Sequence, residues 1–444
     1  MSAASSSTAS GPGFILRALR YRNYRLFFAG QIVSLIGTWI TMTASSWLVY
    51  RLSHSAFLLG VVGFAGQIPA FLLSPVAGVY VDRWNRHRLL VLTQILSMLQ
   101  SFALAILTLS GHVTILAVAL LNAFQGIVNA FDMPCRQSFV VAMIEDPNDL
   151  GNAIALNSSM VNVARLIGPT AAGLIIAASN EGWCYLIDGF SYIGVIIALL
   201  AMRVAAQKAA PHAGKSTMHQ LKEGLRYVAG VVPIRAIMIL LTVVSLFGVP
   251  HGVLIPIFAS TILHGGPHTL GFMMSSSGAG AVAGALWLAS RRPVVGLGRI
   301  IAVTSGIFGA SLMVFGGSSK LWLTLLVLPV TGFGLMVSLA ACNTVLQTLV
   351  DDHLRGRVMS YYMMSFLGAA PIGSLIFGLL AQRIGAPRTV ELGGAICVGG
   401  ALGFGLALPA IRAVARPIMV RKGIIPEVAK GLQSAAQVSI PPED

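Results

Sequence analysis

In this chain only 10% of residues are charged and 56% are hydrophobic. An ionisable or amide side chain inside an apolar run is therefore where chemistry can sit. Three runs carry such residues at helical spacing. Gln31, Ser34, Thr38, Thr41 and Ser45 follow i, i+3, i+7, i+10 and i+14. Asn122, Gln125, Asn129, Asp132 and Arg136 repeat that spacing. Ser158, Asn162 and Arg165 form a shorter set, with Pro169 one turn further on. Helical period puts each set on one stripe. Lipid cannot satisfy such a stripe, so it must face other helices or water. One reading is interhelical hydrogen bonding as structural glue. The other is a wet central cavity, favoured because the stripes include ionisable groups. The candidate cavity and substrate residues are Gln31, Ser34, Thr38, Asn122, Gln125, Asn129, Asn162 and Arg165.

Holding an arginine near mid-membrane costs about 2.5–3.5 kcal/mol on insertion scales. Arg165 is either half of a structural ion pair or a substrate or coupling group, and both stay open. Asp132 can pair with Arg136 at i+4 or take up protons. Asp188 and Glu391 lie a few residues inside the ends of their apolar runs. Rim solvation accounts for both, and Glu391 has Arg388 three residues away. Asp132, Asp188 and Glu391 are the proton-coupling candidates. His264 and His268 are separated by Gly265, Gly266 and Pro267, which excludes a helical metal face. No Walker A loop, GxSxG elbow or HExxH is present, so neither an enzyme, a cofactor nor a metal site is implied.

Positioning these residues takes long apolar helices, since a bilayer core about 30 Å thick needs roughly 20 apolar residues. The sequence predicts spans at 26–50, 57–81, 89–110, 113–134, 153–178, 183–202, 236–260, 269–289, 299–317, 321–346, 358–381 and 387–411. Pro250 and Pro256 interrupt the seventh around His251. Residues 1–25 read as a disordered start and a short amphipathic segment, without the features of a cleaved signal. Residues 26–202 and 236–411 read as two six-helix bundles, 203–235 as a cytoplasmic linker and 412–444 as a cytoplasmic tail. The four cysteines are far apart and read as small buried hydrophobes.

The chain carries net charge +15, which suits an anionic membrane surface better than nucleic acid. With both termini in the cytoplasm, 24 of the 29 Lys and Arg fall in inner segments and four in outer ones, leaving Arg165 inside a span. That is the positive-inside pattern. A shift of 205 residues pairs Asp146 with Asp351, Gly151 with Gly356, Gly168 with Gly373 and Gly173 with Gly378, which points to duplication. Glycine clusters at Gly278, Gly280 and Gly284, and at Gly399, Gly400 and Gly403, read as close helix packing.

The loop between the second and third spans runs Gly78-Val-Tyr-Val-Asp82-Arg83-Trp-Asn-Arg86-His-Arg88. It resembles the G-x-x-x-D-R-x-x-R-x-R loop of the major facilitator superfamily, with Asn85 where glycine is usual. Gly168-Pro169-Thr-Ala-Ala-Gly173 resembles the Gly-Pro motif of its antiporters and exporters. Asp132-Met-Pro134-Cys-Arg136-Gln137, Asn152-Ala-Ile-Ala-Leu-Asn-Ser158, Leu354-Arg-Gly-Arg-Val-Met359 and Pro371-Ile-Gly373 are similar to the enterobactin-exporter-like branch.

The resemblance implies an all-α membrane fold of twelve helices in two pseudo-symmetric six-helix bundles rocking about a central site. Spans one, four, seven and ten would line it, with Trp39, Trp47, Tyr361, Tyr362 and Phe366 as aromatic and apolar edges. Gly78, Asp82, Arg83, Arg86 and Arg88 would form a conformational latch. In it Asp82 holds the N-terminal end of the eleventh helix, at Arg355–Arg357, where the helix dipole favours a carboxylate. The second-half counterpart, Ser290-Arg291-Arg292-Pro293, has no acid, so the latch is asymmetric. The implied protein is a monomer of the bacterial inner membrane that exports a small amphipathic molecule, drug-like or siderophore-like, against protons, with membrane lipid as its other partner. The alternatives are uptake of a nutrient or lipid by the same fold, and a non-transporting sensor.

Overall fold

The computed structural model describes residues 16–203, 225–291 and 296–422. Expectations for 1–15, 204–224, Arg292, Pro293 and 423–444 lie outside the described residues. Every regular element among the described residues is helical, and twelve helices are long and apolar enough to cross a membrane. They are α1 (Arg22–Ser53), α2 (Ala56–Arg83), α3 (Arg86–Leu109), α4 (Ile115–Ala142), α5 (Pro147–Ala178) and α6 (Glu181–Leu200). The second set is α7a (Val232–Phe247) with α7b (His251–Ile257), α8 (Pro267–Ala289), α9 (Leu297–Gly316), α10 (Leu321–Leu349), α11a (Asp352–Met363) with α11b (Ala369–Ile384), and α12 (Ala386–Arg421). An even number of crossings puts Arg22 and Arg421 on one face, called here the terminus face.

Side-chain caps start five of the six helices of the first half, α1 being without one. Ser55, Asn85, Thr114, Asp146 and Asn180 each accept a hydrogen bond from a first-turn amide, and such caps satisfy donors that the helix leaves orphaned. Asn85 Oδ1 accepts from the Arg88 amide at 3.1 Å, which explains an asparagine where the resembling loop usually has glycine. The seventh span does break at Pro250, which supplies no amide hydrogen. Two π-helical turns, Phe258–Ile262 and Met364–Gly368, interrupt spans seven and eleven.

Several boundaries differ from expectation: α4 runs on to Ala142, α5 starts at Pro147 and α11a at Asp352. Helix α1 starts at Arg22, behind a 3-10 turn at Arg17–Arg20. Helix α12 continues to Arg421 instead of stopping near 411. Its extension is amphipathic: Ile411 and Ala415 are buried while Arg412 and Arg416 are exposed, so helical period lets a charged segment keep one packed face.

Within the first half, α1 packs on α5 and α6, α2 on α4, and α3 on α6. In the second half α8 and α9 pack on α10, and α12 packs on α9 and α7a. Phe258 stacks on Phe315 with centroids 4.3 Å apart in that core. The halves meet along two seams, α5 on α8 and α2 on α11b. Two of the glycine pairs related by 205 residues make matching contacts, one pair within the halves and one pair at the seams. Gly168 lies against Trp39 of α1, and Gly373 against Leu246 and Pro250 of the seventh span. Gly173 abuts Pro267 and Gly271 of α8, and Gly378 abuts Ala56 and Gly60 of α2. Helices one and seven, and two and eight, are thus equivalent partners.

Hydrogen bonds between the halves that join described residues lie from mid-depth to the face opposite the termini. Tyr50 Oη is 2.5 Å from Thr261 Oγ1. Ser55 Oγ donates to Gln382 Oε1 at 3.0 Å, and the Phe57 amide to the same oxygen at 3.2 Å. Deeper in, Thr170 Oγ1 donates to Ser275 Oγ at 2.8 Å, and Thr43 to Met274 Sδ at 3.7 Å.

Candidate functional site

At mid-depth, where α1, α5 and α8 converge, Arg165 projects from α5. Its guanidinium carbon is 5.2 Å from the Trp39 ring centroid. Its Nε is buried with no hydrogen-bond partner, and no carboxylate among the described residues pairs with it. Gly278 of α8 leaves room for it, since a Cβ there would come within 2.9 Å of the Arg165 carbonyl oxygen and 3.3 Å of its Cγ. A ring face attracts a guanidinium by about 0.5–2 kcal/mol, which offsets only part of the insertion cost and supplies no countercharge. Nearer the terminus face on α5, Asn162 Nδ2 donates to the Ser158 carbonyl at 2.9 Å. Ser158 is exposed and Asn162 half-buried. Of the two expected roles for Arg165, the structural ion pair is absent among the described residues.

The stripe on α1 divides. Gln31 and Ser34 are buried, and Thr38 is exposed with its hydroxyl donating to the Ser34 carbonyl at 3.0 Å. Thr41 and Ser45 instead turn to α6, meeting Asp188 at 2.9 Å and Tyr185 at 3.1 Å.

The stripe on α4 turns largely to α3. Asp132 Oδ1 accepts from Thr93 at 2.9 Å and from Gln94 at 2.8 Å, and its Oδ2 pairs with Arg136. Gln125 Nε2 donates to Ser97 at 3.0 Å and to Asn129 at 3.2 Å. Asn122 borders Gly66 of α2. Helical spacing identified the face correctly; it does not say which neighbour the face meets, and here the interhelical-glue reading describes Gln125 and Asp132.

Asp188 is not solvated at a rim. It is 1% exposed, because α6 begins at Glu181 and seven residues carry the side chain about 10 Å inward. Its Oδ2 accepts from Thr41 and from Ser101 at 2.7 Å, joining α1, α3 and α6. Its Oδ1 is buried without a partner. Gly37 of α1 leaves the space it occupies, since a Cβ there would sit 2.5 Å from that oxygen. Glu391 forms no ion pair with Arg388. It is half-buried, its Cγ against Gly316 and its Oε1 near Gly317 at the end of α9.

At the end of α2 only the backbone of Gly78, Asp82 and Arg83 is described, and the same holds for Asp352 at the start of α11a. The backbone runs as helix to Arg83, turns at Trp84 and Asn85, and resumes at Arg86. Arg86 is half-buried and Arg88 exposed. Gly168 and Pro169 lie inside α5, where the Pro169 carbonyl oxygen would be 2.4 Å from a Cβ on Gly271. The Gly-Pro motif and Gly173 therefore build the α5/α8 seam.

Sequence reasoning missed several contacts. Arg51 Nε and Nη2 donate to both oxygens of Glu181, at 2.8 and 3.0 Å, tying α1 to α6. Gln347 donates to Asn343 on α10, where Thr344 and Gln347 are exposed; their i, i+4 spacing was a readable signal. Lys422 Nζ donates to the carbonyls of Thr348 at 3.2 Å and Val350 at 2.6 Å, and lies 3.6 Å from Asp351. No sequence signal brings residues that far apart together.

The chain is 28% identical over 381 residues to the staphyloferrin A transporter of Staphylococcus aureus, covering 84% of this chain and 94% of that protein. It is 26% identical over 360 residues to the multidrug efflux pump Tap of Mycolicibacterium fortuitum, covering 80% and 88%. A bacterial homologue of the human lysosomal transporter Spinster, solved inward-facing and unoccupied, shares the fold with TM-score 0.62 at 15% identity, covering 90% of this chain and 98% of that one. A transmembrane secretion effector family model matches residues 15–433. With twelve spanning helices in two matched sets, the chain is a membrane transporter that belongs to the transmembrane secretion effector family of the major facilitator superfamily.

Proposed function

We propose that this transporter exports small amphipathic organic molecules by alternating access, driven by proton influx, with its terminus face in the cytoplasm of a bacterial inner membrane. The observation that carries the reading is the pair of equivalent seams. Both are lined with glycine and small residues, and both join the halves from mid-depth to the face opposite the termini. Bundles 26–202 and 236–411 rock about these seams as units. Interfaces of this kind are bistable, so closing one face is coupled to opening the other. The Lys and Arg excess in the segments on the terminus face supports termini on the cytoplasmic side. The Staphylococcus and Mycolicibacterium relatives are a staphyloferrin A transporter and a multidrug efflux pump, which supports outward movement of an organic cargo.

Thr38, Asn162 and Arg165 form the accessible part of the substrate site, with Gln31 and Ser34 behind them. Asn122, Gln125 and Asn129 hold α4 in place. Asp188 is the proton carrier: Asp132 is tied to Arg136 and Glu391 packs at a helix end, whereas Asp188 keeps one oxygen free of donors. Gly78, Asp82, Arg83, Arg86 and Arg88 latch the cytoplasmic ends against the start of α11a.

Everted vesicles from cells making the protein test this directly. Energised vesicles are expected to accumulate an aromatic carboxylate or its neutral carboxamide above empty-vector vesicles, and to lose it on adding a protonophore. Accumulation only in right-side-out vesicles would reverse the direction. No probe-dependent proton movement in proteoliposomes would reduce the protein to a sensor.

A further inference from the structure

We infer that Arg165 is the docking point for an anionic group on the cargo, so that the transported molecules are amphipathic organic anions bearing a carboxylate, phosphate or sulfonate. This rests on the transport reading and narrows its substrate class. The guanidinium is always charged, lies at mid-depth and has no acid among the described residues to neutralise it. Asp132 has Arg136, and Glu181 has Arg51, while Asp188, also without an ion pair, is held by the hydroxyls of Thr41 and Ser101. Arg165 is the mid-depth cation of this bundle, with no carboxylate partner among the described residues, and the missing countercharge is the property a cargo can supply.

The geometry also selects the kind of anion. Trp39 covers one side of the guanidinium at 5.2 Å, and the stem is wedged against Gly278. Together they hold the planar group in one orientation. Its Nε is buried while the residue as a whole is only half-buried, so an anion with two oxygens would meet the two terminal nitrogens side by side. Paired bonds of this kind suit carboxylate and phosphate. The accessible Ser158 and Asn162 on the same face of α5 mark an approach from the terminus face. The indole beside the charge suits a cargo with an apolar or aromatic body. Arg165 also touches α8 across the seam, so an anion bound there bears on both halves.

The test measures binding with no gradient, in nanodiscs of phosphatidylcholine, by calorimetric titration. Four probes share a naphthalene ring and carry a carboxylate, a sulfonate, a phosphate or a neutral carboxamide. At least one anion is expected to bind saturably, with the carboxamide tenfold or more weaker. Arg165→Gln is expected to lose that preference, while Arg165→Lys keeps part of it. Nanodiscs containing phosphatidylglycerol, and buffer with inorganic phosphate, ask whether the site instead holds a lipid headgroup or a free ion. If either abolishes probe binding at equal concentration, the anion is not a cargo group and the inference falls. It falls equally if no anion binds, if the carboxamide binds as well as the carboxylate, or if Arg165→Gln binds the anion unchanged. The wild-type probe series stands even if a variant does not fold. Anion binding without accumulation in everted vesicles would refute export and leave the site; export of neutral probes alone would do the reverse.

Discussion

Gly173 of α5 and Gly271 of α8 meet so closely that a Cβ on Gly173 would lie 3.2 Å from the Gly271 Cα and 2.6 Å from the Pro267 carbonyl oxygen. The obstacle is backbone, which cannot swing aside as a long side chain does. Gly173→Val should therefore push the seam apart. Overpacking of this order costs about 1–3 kcal/mol, equivalent to a shift of roughly 5- to 150-fold between two conformational states. Transport should fall accordingly while membrane insertion persists. A cysteine pair at positions 170 and 275 should crosslink more slowly in that background. Unchanged crosslinking and transport would show that the seam does not need glycine there.

Asp188→Asn keeps an acceptor for Thr41 and Ser101 but removes the ability to carry a proton. Preloaded vesicles should still release cargo down its gradient at near the wild-type rate. Uphill export driven by a pH gradient should be lost, and the remaining flux should not respond to that gradient. Wild-type uphill export in this variant would pass the coupling role to another residue.

Asp82→Asn should lower transport several-fold without reducing the amount of protein in the membrane, because a neutral amide interacts more weakly with a helix N-terminus. Accessibility labelling at the terminus face should increase at the same time. Normal rates and labelling would remove the latch.

Asn85→Ala removes the cap on α3 and should cost about 1 kcal/mol, whereas Asn85→Gly should cost only a few tenths. The check is the thermal aggregation midpoint of purified protein in detergent. It should drop for the alanine variant and barely move for the glycine variant. Equal drops would mean that the side chain serves something other than the cap.

The twelve crossings were legible because each apolar run is long enough to span lipid and is interrupted by polar turns. The matching of Gly168 with Gly373, and of Gly173 with Gly378, was legible as a weak repeat. What the repeat places against those glycines became visible only in three dimensions. The depth of Asp188 depends on α6 starting at Glu181, which hydropathy alone does not give. Helical period gives the shared face of Gln125 and Asp132, but it does not say that α3 offers Ser97, Thr93 and Gln94 as donors and acceptors. The Arg51–Glu181 pair joins the end of one helix to the start of another far along the chain. The extension of α12 was hidden by its arginines, which suggested a tail although Ile411 and Ala415 pack beneath them.

Lys422 grips the final carbonyls of α10 and the aspartate that precedes α11a. The last helix is thereby fastened by its end to the short turn from which Arg355 and Arg357 begin. A pull on the carboxyl-terminal segment is delivered through a single amine to that turn. Trimming the chain just before this lysine would leave the turn unmoored, with the rest of α12 still in place.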